Sequence, residues 1–340
     1  MDKVAIVILN WNGEKFLQQF LPSLTYYTKS EGAVLYVADN ASTDGSIAFL
    51  QKEYPAIKTI KLDKNYGFAS GYNKALSQID AEYFVLLNSD VELTEGWLEP
   101  LINYMDNNPD VGACQPKIKA FNRKTHFEHA GAAGGFIDYL GYPYCRGRVF
   151  NEVEQDNGQY DNIIDVFWAS GACMVVRSAL FFKVGALDDD FFAHMEEIDL
   201  CWRLNARGYR VVCVPQSTVY HVGGGTLNVE SPRKTYLNFR NNLLMLYKNL
   251  PKKDLDKVLR IRKWLDYLAW LQHIFTGKKE NAKAILKARK DFKLQMHEFK
   301  AKRNENLRFS THVNCNTMLG KSILTEYFLF KKKRFSEIIK

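Results

Sequence analysis

Residues 83–87 (YFVLL) form an apolar run without a charge, and the run stops at Asn88, Ser89 and Asp90. Such a run reads as a strand buried on both faces. Ending it with an amide, a hydroxyl and a carboxylate gathers hydrogen-bonding and anionic groups at one point. Three further apolar segments stop in the same way. Residues 4–9 lead into Asn10-Trp11-Asn12-Gly13, residues 34–38 into Asp39-Asn40-Ala41-Ser42, and residues 57–62 into Asp63-Lys64-Asn65-Tyr66-Gly67. Each group alone has the chemistry of an ordinary turn or helix cap. Four on one edge of a sheet point to a crevice for a polar ligand.

The elements that must position these groups alternate. Phe16, Leu17, Phe20, Leu21 and Leu24 recur at helical spacing between the first two strands. Ser42-Thr43-Asp44-Gly45 opens a second helix that continues through Ile47 to Leu50, and residues 69–79 read as a third. This βαβαβαβ order predicts an α/β fold with a mostly parallel central sheet flanked by helices. Ligands of such sheets bind at the carboxyl ends of the strands, where the four polar groups fall. Residues 110–165 are rich in Gly and Tyr and read as loop. Gly131 to Gly135 lacks the Gly-x-Gly-x-x-Gly spacing of a dinucleotide site, and no Walker-type loop occurs. Farther on, residues 172–176 and 211–214 read as strands, the latter ending at Pro215. Residues 178–184 and Glu196–Ala206 read as helices, and residues 219–221 as a short extended piece.

A chain of 340 residues with 46% apolar content can bury a large core, in one large domain or two smaller ones. The N-terminal apolar run is too short for a secretory signal and has no small-residue cleavage site after it. No stretch reaches membrane-span length, so the expected location is cytoplasmic. The six cysteines, Cys114, Cys145, Cys173, Cys201, Cys213 and Cys315, form no Cys-x-x-Cys pair. They read as buried free thiols rather than a zinc site or a disulfide framework. The net charge of +8 divides unevenly. Residues 1–230 carry 19 Lys/Arg against 29 Asp/Glu, and residues 231–340 carry 27 against 9.

In order along the chain stand VILNWNG, VADNASTDGS, NYGFASGYNKAL, LLNSD, SGACMVVR, HMEEIDLCWRL and VYHVGG. Each is weak alone, but the set in this order and spacing, spanning residues 4 to 224, strongly resembles the family 2 inverting glycosyltransferases. Among these the chain looks most like bacterial rhamnosyltransferase-type enzymes of surface polysaccharide synthesis. The resemblance implies the GT-A fold and sugar transfer from a nucleotide-diphosphate donor, a UDP- or dTDP-sugar, to a hydroxyl of a saccharide or lipid-linked saccharide. It also implies a catalytic domain over residues 1–230, with a nucleotide-binding half to about residue 110 and an acceptor half beyond it. A helical basic region follows at 231–340.

The family's Asp-x-Asp metal motif falls on Asn88-Ser89-Asp90. By resemblance, Asp90 and His221 hold a Mg²⁺ or Mn²⁺ ion that neutralises the departing diphosphate. Asn88, an amide at the first motif position, is at most a weak ligand or a donor to the ribose. Asp39 matches the residue that accepts from the nucleobase imide, or else it opens an Asx turn. Asn10, Asn65, Gly67 and Asn73 are expected around the same nucleotide. Glu196-Glu197-Ile198-Asp199 is the family's acidic cluster. Glu197 matches its general base, with Glu196 as the alternative. Asp199 reads as favourable charge at a helix N-terminus, and Arg203 as a partner for one of the glutamates.

A nucleotidyltransferase would share the sheet, but its Gly- and Arg-rich loop after the first strand is missing. A non-catalytic sugar-nucleotide-binding protein would share the pocket, and Asp90, Glu197 and His221 argue against it. The basic region carries no recognised nucleic-acid module. Its stripe Ile261, Trp264, Leu265, Leu268 and Leu271, flanked by Arg260, Arg262 and Lys263, suits an anionic membrane surface. Lys331 to Arg334 form a second basic cluster. A packed face or a homodimer contact is the alternative use of the stripe.

Overall fold

Strand β1 (Asp2–Asn10) sits at the centre of the first half. Its side chains alternate: Val4, Ile6 and Ile8 enter one core, while Ala5 and Val7 enter the other. Both faces are apolar because helices cover both. The computed structural model describes residues 1–223, 231–311 and 317–339, so Gly224, Gly225 and Cys315 lie outside it. The chain continues through α1 (Glu14–Tyr27), β2 (Ala33–Asp39), α2 (Ser46–Glu53), β3 (Lys58–Lys61), α3 (Gly67–Leu76) and β4 (Ala81–Leu87). β2 and β4 flank β1, and β3 lies outside β2, all in parallel. Four polar strand ends therefore share one edge.

After β5 (Val91–Leu93) and α4 (Glu99–Asn107) comes β6 (Val111–Ala120), a long buried strand where the composition had suggested loop. Its polar residues are satisfied internally. Gln115 Oε1 accepts from Ser170 N at 2.9 Å, and Lys117 meets Asp156 at 3.1 Å. β7 (Arg123–Phe127) turns back on β6. A small second sheet follows, from β8 (Gly135–Asp138), β9 (Pro143–Cys145), β10 (Arg148–Val149) and β11 (Glu152–Val153). β12 (Ile164–Asp165), β13 (Cys173–Arg177), α5 (Ser178–Lys183), α6 (Glu196–Ala206) and β14 (Arg210–His221) return to the main sheet.

Among the described residues that sheet has ten strands. Its order is β12-β14-β6-β13-β4-β1-β2-β3, with β5 on β14 and β7 on β6. β13 runs antiparallel between β4 and β6. β14 is one strand rather than two pieces. Val214 faces Pro116 and Thr218 faces Lys117, so Pro215, Gln216 and Ser217 bulge out. Proline has no N–H for the ladder, and the bulge absorbs it.

The remaining helices are α7 (Pro232–Asn249), α8 (Lys252–Phe275), α9 (Lys279–Gln295) and α10 (Phe299–Phe309). β15 (Met318–Leu319) then extends the second sheet on β8, and α11 (Phe335–Ile338) ends the described chain. The five described cysteines are buried free thiols. No described helix is long and apolar enough to cross a membrane.

α7 is fastened to α6 by buried charge. Lys248 Nζ lies 2.6 Å from Asp188 and 2.8 Å from Asp199. Arg203 Nε donates to Asp199 at 2.9 Å, and Asn249 donates to its other oxygen at 2.7 Å. Arg203 therefore serves Asp199 and neither glutamate, and Asp199 is an ion-pair centre rather than a helix-end charge. Burial pushes both carboxyls up, yet the Lys248 ammonium outweighs it and holds them below the ordinary carboxylate range. Their contribution to stability is complete above pH ~4 and is lost as pH falls through the lowered folded-state values.

Lys248→Met leaves two buried carboxylates facing each other. It is expected to cost about 3–5 kcal/mol in urea unfolding at pH 7. A loss below about 1 kcal/mol, the range of an exposed pair, would show that this network does not hold α7 to α6.

Candidate active site

The carboxyl ends of β1 and β2 are tied side chain to side chain. Asn10 Nδ2 donates to Asp39 Oδ1 and to Ser42 Oγ, both at 3.1 Å, and Asp39 Oδ2 accepts from Ser42 N at 3.0 Å. Asn10 Oδ1 is buried without a partner. A Cβ at Gly13 would lie 2.4 Å from that oxygen and 3.7 Å from Ser89 Oγ, so this corner adjoins the end of β4.

Asn40, which the sequence reading passed over, braces the next turn. Its amide donates to Asn65 Oδ1 at 3.1 Å and to the Gly67 carbonyl at 3.0 Å, and its oxygen accepts from Tyr66 N at 2.9 Å. Gly67 has φ +76°, and a Cβ there would lie 2.5 Å from the Phe192 ring. Only glycine fits both demands. Asn10, Asp39, Asn65 and Gly67 thus share one edge. Asn73 stands apart, because its amide nitrogen bonds Leu187 O and Asp189 Oδ1 at 2.8 Å and its oxygen accepts from Leu187 N. It is a tether between α3 and that loop.

The second corner is made by β5 pairing antiparallel with β14, which sets His221 opposite Val91. Val222 N donates to Asp90 O at 3.1 Å. His221 Nε2 then lies 3.1 Å from Asp90 Oδ1 and 3.4 Å from Asn88 Nδ2. Its Nδ1 faces the buried Glu128 at 3.6 Å, too long for a hydrogen bond. Burial opposes a charged imidazole, but the Asp90 and Glu128 carboxylates outweigh it and raise the group to about 10.

These residues fit a divalent cation by donor chemistry. Asp90 and His221 Nε2 converge, and the Glu128 carboxylate lies on the side of the other ring nitrogen. Glu128 is a further residue that the sequence reading missed. Among the described residues no three His, Cys, Asp or Glu side chains cluster to enclose a metal. Asp90 and His221 would supply two ligands, and a divalent cation of this kind takes its others from oxygen donors outside the protein.

The turn before β13 joins this corner to the acidic pair. Ala172 O accepts from Asn88 N at 3.0 Å. A Cβ at Gly171 would lie 3.2 Å from the Phe68 ring and 3.9 Å from Glu197 Cβ. Glu196 is closed off from solvent, and Glu197 keeps partial exposure. Burial raises both carboxyls: Glu197 to about 7, and Glu196, with Glu197 beside it, well above the carboxylate range. One side-chain oxygen of each is buried without a partner.

The backbone leading into this pair is strained. Phe192, His194 and Met195 have φ of +65°, +71° and +75°. Non-glycine residues hold such angles only where neighbours impose them. Phe68 N and Ala69 N, at the start of α3, donate to Phe192 O. From α7, Asn241 Nδ2 reaches the carbonyls of Phe191, Ala193 and His194 at 2.8–2.9 Å. Arg240 Nη2 donates to Asp190 O at 2.7 Å. Arg240 and Asn241 stand in a helix that carries several other polar residues, so nothing in the sequence singled them out.

A parallel half with polar strand ends, joined through one antiparallel strand to a helix opening on two glutamates, is the architecture expected for the GT-A fold. The chain belongs to glycosyl transferase family 2, whose family model matches residues 5–181. The N-acetylglucosaminyl-diphospho-decaprenol L-rhamnosyltransferase of Mycobacterium tuberculosis is 27% identical over 65% of this chain and 76% of its own. Rhamnosyltransferase WbbL of Escherichia coli is 23% identical over 64% of this chain and 83% of its own. In fold, the chain is similar to Staphylococcus aureus TarS 1–349 in complex with UDP-GlcNAc. That likeness has a TM-score of 0.56 at 16% identity over 90% of this chain and 89% of the other. It is also similar to the Pyrobaculum calidifontis mannosyltransferase in complex with GDP-Man and Mn²⁺. There the TM-score is 0.53 at 13% identity, over 91% and 86% of the two chains.

Asn241→Ala takes a donor from three loop carbonyls, of which Phe191 O keeps Ala193 N and Arg240, and is expected to cost about 1–3 kcal/mol in urea unfolding. Asn241→Asp keeps the shape but turns a donor into an acceptor against those carbonyls, and is expected to cost more. An Asp variant as stable as the wild type would remove the amide from this role.

Proposed function

We propose that the protein transfers a glycosyl group from a uridine- or thymidine-diphosphate sugar to an acceptor hydroxyl with inversion, with Glu197 as the base. The observation that carries this reading is the placement of two buried glutamates, one partly open, across a single turn from the Asp90–His221 corner. Asp39, Asn10, Asn65 and Gly67 form the nucleotide side, where a carboxylate can accept from an imide N–H. Asp90 and His221 would hold Mg²⁺ or Mn²⁺, which supplies positive charge to the diphosphate when bound.

Glu196, the more buried acid, stays protonated and neutral. Glu197, ionised, takes the proton of the acceptor hydroxyl. The acceptor oxygen forms its bond to the anomeric carbon as the bond to the diphosphate breaks. The nucleoside diphosphate leaves with the electron pair, and one displacement inverts the centre. The nucleotide half runs to about residue 110 and the acceptor half to about residue 230. The region after 230 contributes through α7, which holds the loop before Glu196. By likeness to the mycobacterial relative, whose name includes a decaprenol-linked diphosphate, the acceptor is a lipid-linked saccharide of cell-surface glycan synthesis.

A base must be ionised to act, so kcat/KM is expected to rise through pH about 7 and to fall below it. Glu197→Gln should lower the rate ~10²–10⁴-fold and leave nucleotide binding intact. Normal transfer by Glu197→Gln, with loss in Glu196→Gln instead, would move the role to the other carboxylate.

A further inference from the structure

Helix α8 carries an exposed apolar stripe. Trp264 is 68% exposed, Leu268 60% and Phe275 84%, and Leu271 lies between them. At spacings of four, three and four these residues share one face. Extended toward the N-terminus, the same face presents Lys257 and Arg260, both exposed. Beyond its end come Lys278 and Lys279. From Lys257 to Lys279 the single carboxylate is Asp266. It is fully buried and paired with Arg262 and Arg289. The exposed surface of this segment therefore carries no carboxylate of its own, with Asp256 and Glu280 just outside it.

The structure relocates the stripe read from the sequence. Ile261 and Leu265 pack inward on the core. Arg262 is buried, bonding Leu140 O at 2.8 Å and lying over the Tyr142 ring. In the second basic cluster, Lys332 and Lys333 are paired with Glu326 and Glu152. On α8 the exposed face is 257/260/264/268/271/275.

We propose that this face docks the protein on an anionic lipid surface, with Trp264, Leu268, Leu271 and Phe275 entering the headgroup boundary and Lys257 and Arg260 on the phosphates. Amphipathic helices with aromatic and aliphatic residues beside Lys/Arg bind such surfaces by apolar burial and charge together. A second copy of the chain fits the face poorly, because its own matching surface brings cations and no carboxylate to receive them. The inference rests on the reading that the acceptor is lipid-linked. Surface docking through α8 would bring the enzyme to such an acceptor.

The test is co-sedimentation of the full chain with vesicles of phosphatidylcholine, alone or mixed with phosphatidylglycerol, without donor or acceptor. Binding is expected with phosphatidylglycerol at low salt and should fall as salt rises. Trp264→Ser/Leu268→Ser should weaken it by about tenfold or more, and Lys257→Glu/Arg260→Glu should abolish it. Because all four side chains are exposed, the unfolding temperature should not move. Absence of phosphatidylglycerol-dependent sedimentation, or equal sedimentation of both double variants and wild type, overturns the proposal. So does a dimer that Trp264→Ser/Leu268→Ser dissociates without any vesicle binding. Since the vesicles hold no substrate, failure here leaves the assignment of Glu197 untouched.

Discussion

The antiparallel insertion of β13 between β4 and β6 is the contact on which the site depends. β4 ends at Leu87, just before Asn88, and β13 begins just after the turn at Ser170, Gly171 and Ala172. Their register, with Cys173 opposite Leu87, sets that turn against the Asn88 amide. The turn meets the Asn88 N–H through Ala172 O and lies beside Glu197 at Gly171. Slipping the pairing by one residue would turn every side chain of β13 to the other face. Both faces are buried, so the register is tightly specified.

The rest of the molecule holds the second partner of that turn in place. Glu196 and Glu197 follow three residues with left-handed backbone, a conformation that costs energy wherever it is not over-determined. α3 secures one loop carbonyl, and α7 secures several others through Asn241 and Arg240. The Lys248–Asp188–Asp199 network then locks α7 onto α6. Burial that serves the fold also serves the chemistry. The apolar surroundings that raise Glu197 to about 7 place a carboxylate in the range where it can accept a proton from a hydroxyl.

The first half of the fold was legible because its strands are short apolar runs bounded by turn chemistry. Helix Glu196–Ala206 was legible because its apolar spacing and the Gly208 stop agree. β6 was not, since Gln115, Pro116 and Lys117 break its apolar pattern and find their partners 39 to 55 residues away. The bulge in β14 looked like a strand end because Pro215 cannot join a ladder, and the resumption at Thr218 depends on β6. In the site, the polar strand ends could be read directly. Asn40, Glu128, Arg240 and Asn241 could not, since a polar residue in a loop or helix looks solvated until its buried partner is known. Arg203 shows a finer failure: helical spacing suggested one of the glutamates as its partner, and the partner is Asp199, four residues back on the same helix.

The central claim is that a nucleoside diphosphate and a divalent cation bind together at the shared strand edge, between Asp39 and the Asp90–His221 pair. Thermal unfolding with UDP, dTDP, GDP or ADP, each with and without Mn²⁺, tests it most directly. A ligand at a hundred times its dissociation constant adds about 2.7 kcal/mol to stability, a readily measured shift. The account predicts stabilisation by UDP or dTDP that requires Mn²⁺ and vanishes in Asp90→Ala. Stabilisation by nucleotide that is indifferent to both the cation and Asp90, or none by any nucleotide, would contradict it.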